Sequence, residues 1–188
     1  MYEKFKTDEK QAKKEPEKKQ FTQLFDEEQT EIKRLNGEDV DEVVKVMRKC
    51  AFDVTDKEVL YIVNYGFSFG CYVNRMLIGV GLSWPTNYDA NERILKAGDA
   101  NALYIEDPAV LLAYEGRGIR RILLQARESD AKTKALKYSL AYVSEDLPSG
   151  DIDNYIKESA SQLEKLYLSE GYQFYKSSRG LLAMKTLG

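Results

Sequence analysis

Residues 110–124 read Val-Leu-Leu-Ala-Tyr-Glu-Gly-Arg-Gly-Ile-Arg-Arg-Ile-Leu-Leu, an apolar stretch joined to an amphipathic helix by a basic turn with two glycines. A strand feeding a helix through such a turn constrains the fold more than any other feature, because it belongs to mixed α/β architectures and sets backbone amides where an anion can meet them. Gly116 and Gly118 let the chain turn tightly with no Cβ in the way, so the unpaired N–H groups of the first helical turn can converge on one ligand. The helix dipole adds partial positive charge there. Arg117, Arg120 and Arg121 bring planar guanidinium forks suited to phosphate oxygens. The competing reading is an ordinary strand-turn-helix with a solvated basic turn, since short glycine motifs often arise by chance.

Several chemistries are excluded by what the chain lacks or barely contains. Histidine is absent, which removes Ser-His-Asp and Cys-His catalysis and most zinc sites, so no metal is expected. A net charge of -3 and a pI near 5.3 argue against general nucleic-acid binding. Cys50 and Cys71 follow no ligand spacing and sit among apolar residues, as buried thiols in a reducing compartment would. No apolar run reaches the length of a membrane span and the N-terminus lacks a signal-peptide core, so a cytoplasmic location without membrane association is expected.

The 188 residues, 43% hydrophobic, suffice for one domain with a core. That domain is expected over 29–188, after a charged tail, 1–28, whose first 20 residues hold seven lysines and five acidic residues. Phe21, Leu24 and Phe25 are candidates for a short packed helix. A strand at Ile32–Leu35 precedes a helix capped by Asn36 with Val40, Val43, Val44 and Met47 on one face, and a Thr55–Glu58 capping box opens a second helix. Phe67–Val73 and Met76–Leu82 form a hairpin about Asn74-Arg75. Residues 84–100 read as a long connection, with one helical turn at Ile94-Leu95. Ala102–Leu112 is a strand disturbed near Pro108. A helix at 118–134, a strand at Tyr138–Val143, one late helix carrying Ile152, Ile156, Ala160, Leu163, Leu166 and Tyr167 and capped by Gly171, and strands at Gln173–Lys176 and Leu181–Thr186 complete the order.

The glycine turn and the late segment Leu163–Phe174, about fifty residues on, together resemble the GCN5-related N-acetyltransferases. That family has a strand ending V-x-P-x-Y, then R/Q-x-x-G-x-G/A opening a helix, and later A-x-x-L-Y-x-x-x-G-F. Val110, Tyr114, Gly118, Ile119 and Leu123-Leu124 fit the first pattern, and Leu166, Tyr167 and Gly171 the second. Leu112 replaces the proline, Glu115 takes the Arg/Gln place and Arg120 the second Gly/Ala place. The resemblance covers residues 30–188. It implies an α/β (α+β) fold with a mixed, mostly antiparallel sheet of six to seven strands, about four flanking helices, and the order βααβββαβαββ.

The resemblance further implies acetyl-CoA as cosubstrate. Its diphosphate would rest on Gly116, Arg117, Gly118, Ile119, Arg120 and Arg121, and its pantetheine arm would pair with the backbone at Val110 and Leu112 where two strands splay. An N–H of Leu112 or Val110 would polarise the thioester carbonyl. Tyr167 aligns with the tyrosine that protonates the departing thiolate; the competing reading is a ring packed on the sheet. Glu106 is the chosen base, with Asp107 and Tyr104 as rivals because a bulge at Pro108 changes which one faces the cleft. Ala160 stands where relatives carry a pantetheine-contacting asparagine, with Ser159 or Ser161 as substitutes. The acceptor is expected to be a primary amine, on a small molecule or a protein, cationic if Asp89, Glu92, Asp99, Asp146 and Asp151 border its site. A homodimer is left open. The rival functional class is a non-catalytic module that binds acyl-CoA or protein on the same fold.

Overall fold

A computed structural model describes residues 30–188; the expected tail and the apolar Phe21, Leu24 and Phe25 lie outside the described residues. β1 (Thr30–Arg34) leads through a 3-10 turn, capped reciprocally by Asn36 and Asp39, into α1 (Val40–Lys49), whose Val40, Val43, Val44 and Met47 are buried as the periodicity predicts. At α2 (Asp56–Tyr65) the Glu58 amide donates to Thr55 Oγ1 at 3.3 Å and the Thr55 amide to Glu58 Oε2 at 2.9 Å, closing the expected capping box. β2 (Phe69–Val73) and β3 (Met76–Gly81) form the hairpin, with Asn74 and Arg75 at φ of 49° and 69° in its two-residue turn.

The long connection expected over 84–100 is instead mostly strand. β4 (Ser83–Asp89) follows β3 after a single residue, Leu82, and folds back on the short β5 (Ile94–Lys96), so Ile94-Leu95 is extended rather than helical. Pro85 is tolerated because β5 pairs only with Asn87–Asp89, leaving the proline opposite Leu103 on one side and past the end of the ladder on the other.

The strand predicted over 102–112 breaks in two, β6 (Ala102–Ile105) and β7 (Ala109–Val110), separated by Glu106-Asp107-Pro108. β6 pairs with β4 and, in parallel, with β8 (Tyr138–Ser144), whereas β7 pairs with β3. The two sheets, β1-β2-β3-β7 and β5-β4-β6-β8 continued by β10 (Gly180–Thr186) and β9 (Gln173–Ser177), therefore part company at the break. α3 (Ile119–Thr133) packs across β2 and β3 between them. With β3–β4 and β6–β7 each counted as one bent strand, the expected order of strands holds, β5 being additional.

The late helix is also two, α4 (Ile152–Ser159) and α5 (Gln162–Ser169), which makes five α-helices among the described residues rather than four. The apolar period runs through both, but Ser161 and Glu164 form a capping box that restarts the helix. Gly171 follows α5 with φ of 89°, the left-handed residue foreseen there. No helix among the described residues is long and apolar enough to cross a membrane.

A buried polar network ties α3 to the far sheet. Tyr172 donates to Glu128 Oε1 at 2.6 Å and shares a 2.6 Å hydrogen bond with Ser139, while Lys185 Nζ reaches Glu128 Oε2 at 2.6 Å. Tyr172→Phe is expected to cost about 1.5–2 kcal/mol, since a buried charge-assisted bond is lost with no replacement. Thermal unfolding should register this as a fall of roughly 3–8 °C in Tm.

Candidate active site at the strand break

The glycine turn is built as its sequence suggests. Gly116 and Gly118 take φ of 76° and 78°, conformations that side-chain-bearing residues adopt only at a cost, and no side chain caps the start of α3 at Gly118. A cavity of about 730 Å³ opens at this helix end, with Val110, Tyr114, Glu115, Gly116, Gly118, Ile119, Arg120 and Arg121 on one side and Ser161–Leu163 and Leu166 of α5 on the other. This volume lies in the range of sites for extended small ligands. Most of the residues expected to hold a diphosphate thus meet in one place, and Val110 at the end of β7 borders the same cavity.

The three arginines are all engaged. Arg120 grips Glu115 with Nη2–Oε1 at 2.6 Å and Nε–Oε2 at 3.3 Å. Arg121 bridges to α5, pairing with Glu170 at 2.7 Å and donating to Ser169 Oγ at 2.9 Å. Arg117 does not line the cavity; its guanidinium stacks over the Tyr114 ring at 4.9 Å.

Leu112 departs from expectation. The extended strand ends at Val110, Leu112 begins a 3-10 turn through Tyr114, and its side chain is 89% exposed, so its backbone does not prolong the strand edge for a pantetheine arm. The chain coils one residue after Leu111 donates to Ile78 O at 2.9 Å. Val110 does line the cavity, and its carbonyl accepts from Cys50 Sγ at 3.2 Å. Burial, reinforced by Glu115, raises the Cys50 thiol above its ordinary value despite Arg120 nearby.

Glu106, in the break, faces the other way. It lines a second cavity of about 230 Å³ with Asp53, Val54, Glu58, Ile62, Trp84 and the apolar residues Met47, Phe52, Val59 and Leu82. Trp84 lies 4.7 Å from the Tyr104 ring. Burial, then the charge of Asp107, pushes the Glu106 carboxyl above the usual carboxylate range, with Arg127 pulling against them. Asp107 is likewise raised by burial and drawn back by Arg120 and Arg127, and it lines neither cavity. Burial pushes Tyr104 up to about 12.

Tyr167 is 1% exposed, buried beneath the break. Its ring packs edge-on to Tyr172 at 4.8 Å, yet its hydroxyl has no hydrogen-bond partner among the protein groups. Burial pushes that hydroxyl up, with Arg127 pulling against it, and Tyr167 lines neither cavity. Of the acids expected around an acceptor, Asp89 and Glu92 are instead tied to Lys96 at 2.6 and 2.9 Å, and the carboxylates that meet at a cavity are Asp53, Glu58 and Glu106. Asp53, Glu58 and Trp84 belong to separate elements, so no local motif joins them, and Glu58 also closes the cap of α2.

No protein-family profile and no curated protein matches this chain. Solved structures do. The loading GNATL domain of CurA from Lyngbya majuscula aligns with a TM-score of 0.65 at 13% identity, over 85% of this chain and 98% of that one. PaiA N-acetyltransferase from Thermoplasma acidophilum, solved with coenzyme A, gives 0.61 at 15% identity over 84% and 99%. GphF GNAT-like decarboxylase, solved with isobutyryl-CoA, gives 0.60 at 12% over 84% and 100%. The chain therefore has the fold of the GCN5-related N-acetyltransferases, as its two signatures imply.

Proposed function

We propose that this chain transfers an acetyl group from acetyl-CoA to a primary amine by direct attack in a ternary complex. The observation that carries the proposal is one broken strand with a cavity at the uncapped start of α3 on its β7 side and an acidic cavity with Trp84 at Glu106. The fold is shared with proteins solved with coenzyme A and an acyl-CoA, which supports the same ligand class here.

In this reading the diphosphate rests on the amides of α3, and the thioester reaches the break. The amine sits in the second cavity, where apolar walls receive its stem and Asp53, Glu58, Glu106 and the Trp84 face favour a cation. The bound ammonium first gives one proton to solvent, and Glu106, whose carboxyl burial raises, takes a second as the amine nitrogen bonds to the carbonyl carbon. The tetrahedral intermediate collapses, the carbon–sulfur bond breaks, and Tyr167 gives its proton to the thiolate. Solvent exchange then returns Glu106 and Tyr167 to their starting forms, leaving an amide and free coenzyme A.

Glu115 is a counter-ion already seated on Arg120, so the diphosphate must displace it. Titration calorimetry with coenzyme A should show binding to the wild type, and Glu115→Gln should tighten it about fivefold, the scale of one partly exposed ion pair. A thiol-release assay with a panel of primary amines should then show turnover. Binding without turnover would favour the non-catalytic module, and no binding by a folded chain would remove the coenzyme altogether.

A further inference from the structure

At the break the two facing chains are unequal in length. Val80 pairs with Ala109 and Ser83 with Ile105, so Gly81-Leu82 spans on one side what Glu106-Asp107-Pro108 spans on the other. That is a bulge of one residue, a device by which a strand re-aims a side chain beside a site. Pro108 has no N–H to give, while the Glu106 amide still reaches Leu82 O at 3.1 Å. Arg127 of α3 takes up what the ladder leaves open. It is 0% exposed, its Nε donates to Leu123 O at 3.1 Å, and the single atom Nη1 donates both to Leu82 O at 2.8 Å and to Glu106 O at 2.9 Å. Gly81 makes the room: a Cβ there would lie 2.9 Å from Nε and 3.0 Å from Cζ.

A guanidinium is a costly way to fill a core, since an apolar side chain of similar size avoids the desolvation, and here Nη2 is left without an acceptor among the protein groups. What Arg127 supplies that an apolar residue cannot is one fixed point for both carbonyls at the break. The consequence falls on the side chains beside it. Successive residues of an extended chain point to opposite faces, so a slip of one residue in the bulge would exchange Glu106 and Asp107. Glu106 lines the cavity with Asp53, Glu58 and Trp84, whereas Asp107 lines neither cavity. We propose that Arg127 is a positioning residue for the transfer reaction: by holding the Leu82 and Glu106 carbonyls on one nitrogen, it fixes the register of the bulge and keeps the Glu106 carboxylate turned to the amine. The inference rests on the acetyl-transfer reading, in which Glu106 is the base. Arg127 lines neither cavity itself and acts through the backbone of Glu106.

A double-mutant cycle with Glu106→Gln tests this, with kcat/KM and its pH profile from thiol release, using the primary amine the wild type turns over fastest, and coenzyme A affinity from calorimetry. Arg127→Met is expected to lower kcat/KM by about 10- to 100-fold, the cost of a displaced catalytic group, and to flatten the acid limb that Glu106 gives the wild type. Coenzyme A affinity should change less than about twofold, and the further effect of Arg127→Met in the Glu106→Gln background should also stay below about twofold. Arg127→Lys, whose ammonium can serve the same two carbonyls, is expected to keep the acid limb and at least about a third of kcat/KM. Gly81→Ala pushes on the guanidinium without touching Arg127 or Glu106, and it is the deciding variant if circular dichroism shows Arg127→Met unfolded; a loss of about fivefold or more that vanishes in the Glu106→Gln background is expected. An Arg127→Met loss that persists in the Glu106→Gln background, an acid limb intact in a slow but folded Arg127→Met, a folded Arg127→Lys as slow as Arg127→Met, or a folded Gly81→Ala with wild-type kcat/KM overturns the positioning role while leaving acetyl transfer standing. A wild type that releases no thiol overturns both.

Discussion

Glu106→Gln is expected to lower kcat/KM for an amine by about a hundredfold, the lower end of what a positioned base contributes. The wild-type rate should climb with pH through the titration of Glu106, which burial and Asp107 hold above the ordinary carboxylate range, and the variant should lose that acid limb. The same shift has a stability consequence of fixed sign. A carboxyl whose folded value is raised stabilises the fold fully below its unfolded value, and that increment is lost as pH rises through the raised one. Above that titration Glu106 is ionised at a cost, and there glutamine, which removes the charge, should match or exceed the wild type in Tm while being far slower. A variant with unchanged kcat/KM and an intact acid limb would take the base role away from this residue.

Tyr167→Phe should reduce kcat by about a hundredfold with coenzyme A affinity nearly unchanged, because the lost group acts only when the thiolate departs. Stability separates this outcome from structural damage. The Tyr167 hydroxyl is buried without a partner, so its deletion removes an unsatisfied polar group and should leave Tm level or slightly higher. Its edge-on neighbour Tyr172 has a hydroxyl with two partners and should give the opposite result, with stability lost. Two phenols 4.8 Å apart, one deletion costing rate and the other costing stability, make a pair of measurements that no general loosening of the core reproduces. A folded Tyr167→Phe with wild-type kcat would return Tyr167 to packing alone.

Local chemistry was the legible part of this chain. The glycine turn, the Thr55–Glu58 cap, the Asn74-Arg75 hairpin and the left-handed Gly171 each need only a few neighbouring residues, and each appears where the residues point. Reading failed where distant partners decide. Residues 83–96 look like a loop until β6 supplies a ladder for β4. Ser161 interrupts an apolar period that carries on regardless, so periodicity hid a helix boundary that its capping pair with Glu164 reveals. Arg127 looks like any polar residue on a helix, because the carbonyls it serves lie 45 and 21 residues away. Asp53 and Trp84 of the second cavity carry no motif, and they meet Glu106 only through tertiary packing, Trp84 by the pairing of β4 with β6.

The two cavities share no lining residue, since one is walled by β7, the start of α3 and α5 and the other by α1, α2 and the bend after β3. In the proposed reaction each reactant would then have its own doorway, with no fixed order of arrival, and the finished amide would be able to depart while the spent carrier is still held in its own channel.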